Sequence, residues 1–174
     1  MLGINAFDQP NVQEAKDNTA KVLEADEPPS VDEAGDDELR ALLADAAPPN
    51  YVAIMAYVQP SEEFDSAVSE LRAAIRDATK ATTTFGYGPR FLHSTGQLHK
   101  GGPPTGRFLQ IVHDGENDVE IPDAAYTFKE LKNAQATGDI LTLREHDLPA
   151  ERVRLEGDPV EGLKALTERV RGLL

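Results

Sequence analysis

From residue 50 onward, apolar runs of strand length alternate with amphipathic runs of helix length, and this restricts the chain to a mostly parallel sheet covered by helices. Tyr51–Val58 (YVAIMAYV) is continuously apolar and rich in β-formers, the pattern of a strand buried on both faces. Pro60-Ser61-Glu62-Glu63 follows, with Ser61 as N-cap and acids in the first turn. The helix it opens should reach Thr79, since Phe64, Val68, Leu71 and Ile75 recur on one face. Ala81–Tyr87 reads as a second strand, Gly88–Gly106 as a Gly/Pro-bounded block without defined form, and Arg107–His113 as a third strand. Thr127–Thr137 reads as a helix stopped by Gly138, with a second helix over Asp139–Arg144. Arg152–Leu155 is a short strand, and Asp158-Pro159 opens a last helix over Val160–Leu173. Ahead of all this, Gln9–Leu23 reads as a helix that starts at Pro10. The expected fold class is α/β, with an N-terminal helical appendage and an acidic linker.

Charge divides the chain further. Against 17 basic residues stand 31 acidic ones, a net charge of −14, and a field of that sign repels nucleic acid and anionic lipid. Neither is expected as a partner. No cysteine is present, so disulfides and thiolate chemistry are excluded. No apolar run approaches membrane-spanning length, and the first residues lack a signal peptide's basic and apolar regions, so a cytoplasmic location is expected. Residues 24–45 concentrate the acid (Glu24, Asp26, Glu27, Asp32, Glu33, Asp36, Asp37, Glu38, Asp45) against Arg40 alone. With Pro28-Pro29 and Pro48-Pro49, this composition predicts a solvated linker over 27–49 carrying one short helix at Asp36–Ala46. It separates residues 1–26 from an α/β domain over 50–174.

The opposite extreme is Ala78–His113, which contains no acidic residue but holds Lys80, Arg90, Lys100, Arg107, His93, His99 and His113. Depletion of carboxylates is what an anion site requires, although glycine-rich turns with no room for charge give the same pattern. The block from Gly86 to Pro104 follows a strand, at the rim where open α/β sheets bind ligands. Its candidate contacts to a phosphorylated ligand are Arg90, Ser94, Thr95, Gln97, His99 and Lys100. The competing reading is an interface loop that packs against another domain. P-loop, dinucleotide and serine-hydrolase fingerprints are missing, and His93, His99, His113 and His146 lack metal-ligand spacing. Neither a metal nor a cofactor is expected.

Phe7-Asp8-Gln9, Val12 and Lys16, preceded by Gly3-Ile4-Asn5, resemble the C-terminal active-site motif of phosphoglucose isomerases, roughly F-D-Q-x-x-V-x-x-x-K. Ala6 and Asn11 depart from the residues usual there. The stretches GYGPRFLHSTGQLHKGGP and YTFKELKNAQATGD resemble the C-terminal part of bacterial bifunctional transaldolase/phosphoglucose isomerase fusions, so the likeness covers nearly the whole chain outside the linker. It implies a sugar-isomerase (SIS) type α/β fold and interconversion of glucose 6-phosphate and fructose 6-phosphate through an enediol(ate). By the same resemblance Lys16 assists ring opening and offsets charge on the sugar oxygens, while Gln9 hydrogen-bonds the sugar or orders the site. The family's catalytic glutamate and Ser/Thr phosphate loop lie upstream of this motif. The chain is therefore expected to be an incomplete segment, working with upstream isomerase domains or another subunit on a sugar phosphate. The alternative is a non-catalytic phosphosugar-binding or domain-docking module.

Overall fold

The computed structural model describes Asn5, Asp8, residues 10–25, Glu27 and residues 29–174. At its centre is β1 (Tyr51–Tyr57), paired in parallel with β2 (Thr82–Tyr87) on one side and β3 (Gly106–Val112) on the other. β3 pairs in turn with β4 (Ala150–Arg154), giving the all-parallel order β2-β1-β3-β4. The register sets Ile54 beside Phe85 and Leu109, and Ile111 beside Val153.

Alternation along β1 divides the apolar residues between two faces. Val52, Ile54, Ala56 and Val58 enter one core with Leu109, Ile111 and Val153. Ala53, Met55 and Tyr57 enter the other with Phe108, Val112 and Ala150. The first face is closed by α3 (Glu62–Thr79) and α6 (Pro159–Leu173), the second by α4 (Gly96–Gly101) and α5 (Phe128–Glu145). Crossovers of one hand require this: the path from β1 to β2 runs outward, the path to β3 runs back, and the covering helix changes face. The direction reverses between β1 and β3.

The expected caps form. Ser61 Oγ accepts from the Phe64 N–H at 3.1 Å, and Asp158 accepts from the N–H groups of Val160 and Glu161, with Pro159 at the first helical position. In the Gly88–Gly106 block lie a 3-10 turn (Arg90–His93) and α4.

Two expectations need correction. Gly138 does not stop a helix: α5 continues through it to Glu145. Its missing side chain serves α1 (Pro10–Glu24), which lies against α5 there. A Cβ on Gly138 would come within 2.9 Å of the Thr19 backbone nitrogen. The acidic stretch is also more than a solvated connector. α2 (Asp36–Ala44) buries Leu39, Leu42 and Leu43 in the first core, and the Ala34 N–H donates to the Arg152 carbonyl at the edge of β4. Local composition hid this because the acids find cations far away in sequence: Glu33 pairs with Arg154 at 2.8 Å, Asp36 with Arg169 at 2.6 Å, and Asp45 with Arg107.

Leu43→Ala should therefore destabilise the chain by about 2–5 kcal/mol in urea unfolding, the range for a buried leucine. A change within about 0.5 kcal/mol would return α2 to the surface.

Candidate functional site at the junction of α1 and the glycine-rich block

α1 is anchored by polar side chains more than by apolar ones, since only Ala15, Asn18 and Val22 are buried along it. Asn18 Nδ2 donates to Thr142 Oγ1 at 2.9 Å and to Glu145 Oε2 at 3.1 Å. Glu14 meets His146 Nε2 at 2.9 Å. At the start of the helix, Gln97 Nε2 donates to Asn11 Oδ1 at 2.7 Å while the Asn11 N–H donates to Gln97 Oε1 at 3.2 Å. Gly101 makes room for this reciprocal pair, because a Cβ there would stand 2.5 Å from both side chains.

Below that junction lies a cleft of about 120 Å³ between α1, the block and α5, lined by Val12, Lys16, Thr19, Leu92, His93 and Gln135 among others. Lys16 is exposed, and its ammonium has no hydrogen-bond or ion-pair partner among the described residues. Gln9 and Phe7 lie outside the described residues.

The expected phosphate contacts separate into three groups. Arg90, Ser94 and Thr95 are exposed, and Thr95 stands at the start of α4 without using its hydroxyl as a cap. Gln97 is engaged with Asn11. His99 and Lys100 face inward, which corrects their expected role as ligand contacts. The Lys100 ammonium forms an ion pair with Asp139, the two side chains being 2% and 0% exposed. His99 lies among the rings of Phe108, Tyr51 and Phe91, at centroid distances of 5.3, 6.1 and 6.1 Å. Burial, reinforced by the neighbouring Lys100 charge, pushes the His99 imidazole down to about 4.

Beneath this pair runs a buried polar chain. Arg152 Nε donates to Gln110 Oε1 at 2.8 Å, Gln110 Nε2 donates to the Ala136 carbonyl at 2.8 Å, and the Arg152 guanidinium reaches Thr137 Oγ1. Burial and then the Asp139 charge push the Tyr57 phenol upward. Among the described residues, Tyr57 OH, Asp139 Oδ2 and His99 Nδ1 are buried without a hydrogen-bond partner. Sequence reasoning missed Tyr57, Gln110, Asp139 and Arg152. The available signal was an aspartate next to Ile140 on an apolar helix face and an arginine within a short strand.

The rim beyond the strand ends offers an anion little. The first turn of α3 carries Glu62, Glu63 and Asp65 behind the Ser61 cap. At the start of α5, Thr127 and Glu130 form a capping box while Asp118 takes the Lys129 N–H. Asp158 occupies the start of α6. Each set of free N–H groups thus already faces a carboxylate or hydroxyl.

No protein-family model matches the chain, and no curated protein matches it. Among solved structures, a hypothetical protein from Thermus thermophilus superimposes with a TM-score of 0.61 at 17% identity. The match covers 95% of this chain and 43% of that one, so this chain spans less than half the length of that protein. That likeness is one of fold. It agrees with an α/β arrangement in which a four-stranded parallel sheet lies between helices. No helix among the described residues is long and apolar enough to cross a membrane.

Two measurements test the buried cluster. Lys100→Ala should cost about 3–5 kcal/mol, because it strands a buried carboxylate, whereas Lys100→Met combined with Asp139→Leu should recover most of that loss. Equal losses in both variants would show that shape, not charge, matters there. For His99 the folded pKa lies below the unfolded value, so below about pH 6.5 the unfolded chain takes up a proton that the folded chain refuses, until about pH 4. Stability should fall with acidification through that window. At pH 4 wild type should have lost on the order of 3 kcal/mol more than His99→Phe, measured from pH 7 by urea unfolding. Parallel pH profiles would contradict the assignment.

Proposed function

We propose that the chain is part of an aldose–ketose isomerase interconverting glucose 6-phosphate and fructose 6-phosphate, of the kind found fused to transaldolase, and that it works with upstream isomerase domains or a second subunit. The observation that carries this reading is the junction between α1 and α4. The lysine-bearing helix and the Gly86–Gly106 block are separate in sequence, yet Asn11 of the first pairs reciprocally with Gln97 of the second, and Val12 and Lys16 share a cleft with Leu92 and His93. The all-parallel α/β fold supports the same reading.

On this proposal Lys16 supplies positive charge. An ammonium beside the sugar oxygens stabilises an enediolate more than the neutral sugar, which lowers the barrier rather than only tightening binding. Its helix is tied to α4 through Asn11 and to α5 through Asn18, on either side of Lys16. Gln9 hydrogen-bonds the sugar, and Arg90, Ser94 and Thr95 are the exposed block residues suited to its phosphate. The base that moves the proton between C1 and C2 comes from outside this chain. A cleft of about 120 Å³ is also well below the roughly 300–1,000 Å³ of ordinary small-molecule sites, so a second surface completes it.

The test is a coupled assay of fructose 6-phosphate conversion, with the chain alone and combined with its isomerase domains. Turnover is expected in the combined protein, reduced at least about tenfold by Lys16→Ala, equivalent to roughly 1.4 kcal/mol. Wild-type turnover by that variant would remove Lys16 from the mechanism. Sugar-phosphate binding by the combined protein without turnover would favour the binding-module reading.

A further inference from the structure

A second feature lies at the opposite end of the sheet. Between the last turns of α3 and the start of β2 runs an open groove of about 580 Å³, lined by Ser69, Arg72, Arg76, Lys80, Thr82 and Thr83 together with two alanines. No carboxylate is among its lining residues, in a chain with a net charge of −14. We propose that this groove binds a ligand carrying a chain of two or more phosphoryl groups.

Spacing sets the length of the ligand. Arg72, Arg76 and Lys80 follow one another at helical i, i+4, i+8 intervals, so their backbones span about 12 Å along one face. A single phosphate cannot meet all three, whereas a linear polyphosphate can. The hydroxyls of Thr82 and Thr83 add donors along the same line, whereas that of Ser69 donates to the Asp65 carbonyl at 3.0 Å.

The first cation is fixed in place. Arg72 Nε donates to Thr83 Oγ1 at 3.1 Å and its Nη2 donates to the Thr83 carbonyl at 3.0 Å. These bonds hold the guanidinium in place while leaving Nη1 for a ligand, and a fixed planar fork suits phosphate oxygens better than a mobile ammonium does.

Helix electrostatics explain only part of the row. Cations near a helix C-terminus are favourable, but that effect fades beyond the last turn, and Arg72 stands two turns inside. Lys80 closes the helix in the left-handed region, with φ of 62°, a position glycine normally takes. Its ammonium donates to the Asp77 carbonyl at 2.6 Å, an exposed bond that it can exchange for a phosphate oxygen. Asp77 is the competing acid. It pairs with Arg76 at 2.8 Å, but both side chains are more than half exposed, so the pair opens at little cost. At physiological salt the distant acids are screened beyond about 8 Å, leaving local cations to decide.

The experiment is an amide-resolved NMR titration of the full chain with tripolyphosphate, with ATP and with pentaglutamate. Tripolyphosphate should bind with a Kd below about 1 mM, moving amides confined to residues 69–83. Arg76→Ala combined with Lys80→Ala should weaken binding at least about tenfold, while the control Lys164→Ala with Arg171→Ala on α6 should leave it unchanged. These variants spare Arg72 and its bonds to β2, so retained amide dispersion checks the fold. Tighter binding of ATP identifies a nucleotide as the source of the phosphates, and equal binding identifies bare polyphosphate. No binding near 1 mM, shifts centred elsewhere, wild-type affinity in the double variant, or equal binding of pentaglutamate would each overturn the proposal. All of these readouts are independent of isomerase turnover.

Discussion

The arrangement of one whole face depends on two charges removed from water. Lys100 on α4 and Asp139 on α5 form their ion pair beneath the glycine-rich block, and the helices that carry them cover that side of β1 and β3. Such a pair contributes little net stability, because desolvation offsets most of the attraction. Its effect is on geometry. Sliding α4 along α5 would leave both charges buried and unpaired, so the register between them is fixed. Since α1 leans on α4 through Asn11–Gln97 and on α5 through Asn18–Thr142, the outer helix inherits that register.

The two faces of the sheet are built differently. The face under α3 and α6 is apolar and closes as an ordinary core. The other face carries Gln110, Arg152 and Tyr57 inward, and its helices answer with Thr137, Asp139 and Lys100. At the strand-end rim the starts of α3, α5 and α6 are occupied by acids and caps.

Much of the fold was legible because its signals are local. The continuous apolar run of Tyr51–Val58, the Ser61 cap and the Asp158-Pro159 start each specify their element without tertiary context. What was not legible depended on residues distant in sequence. Gly138 carries a stop signal, yet its reason is the approach of Thr19 from another helix. Leu39, Leu42 and Leu43 sit in an acid-rich stretch whose charges are answered by Arg154 and Arg169, more than a hundred residues away. In the candidate site, composition marked the right block but could not tell inward from outward side chains. Arg90 and Thr95 face solvent, whereas His99 and Lys100, only a few residues on, face the core.

The sparse apolar contact of α1 has a kinetic meaning. A helix held by a few side-chain hydrogen bonds and two buried aliphatic residues belongs to the low-stability end of a structure, where local opening precedes global unfolding. Its amides should exchange with solvent as a group, ahead of those in β1 and β3. A molecule that bridges Lys16 on this helix to His93 on the block would slow that exchange, so occupancy of the cleft and closure of the outer helix are one equilibrium seen from two sides.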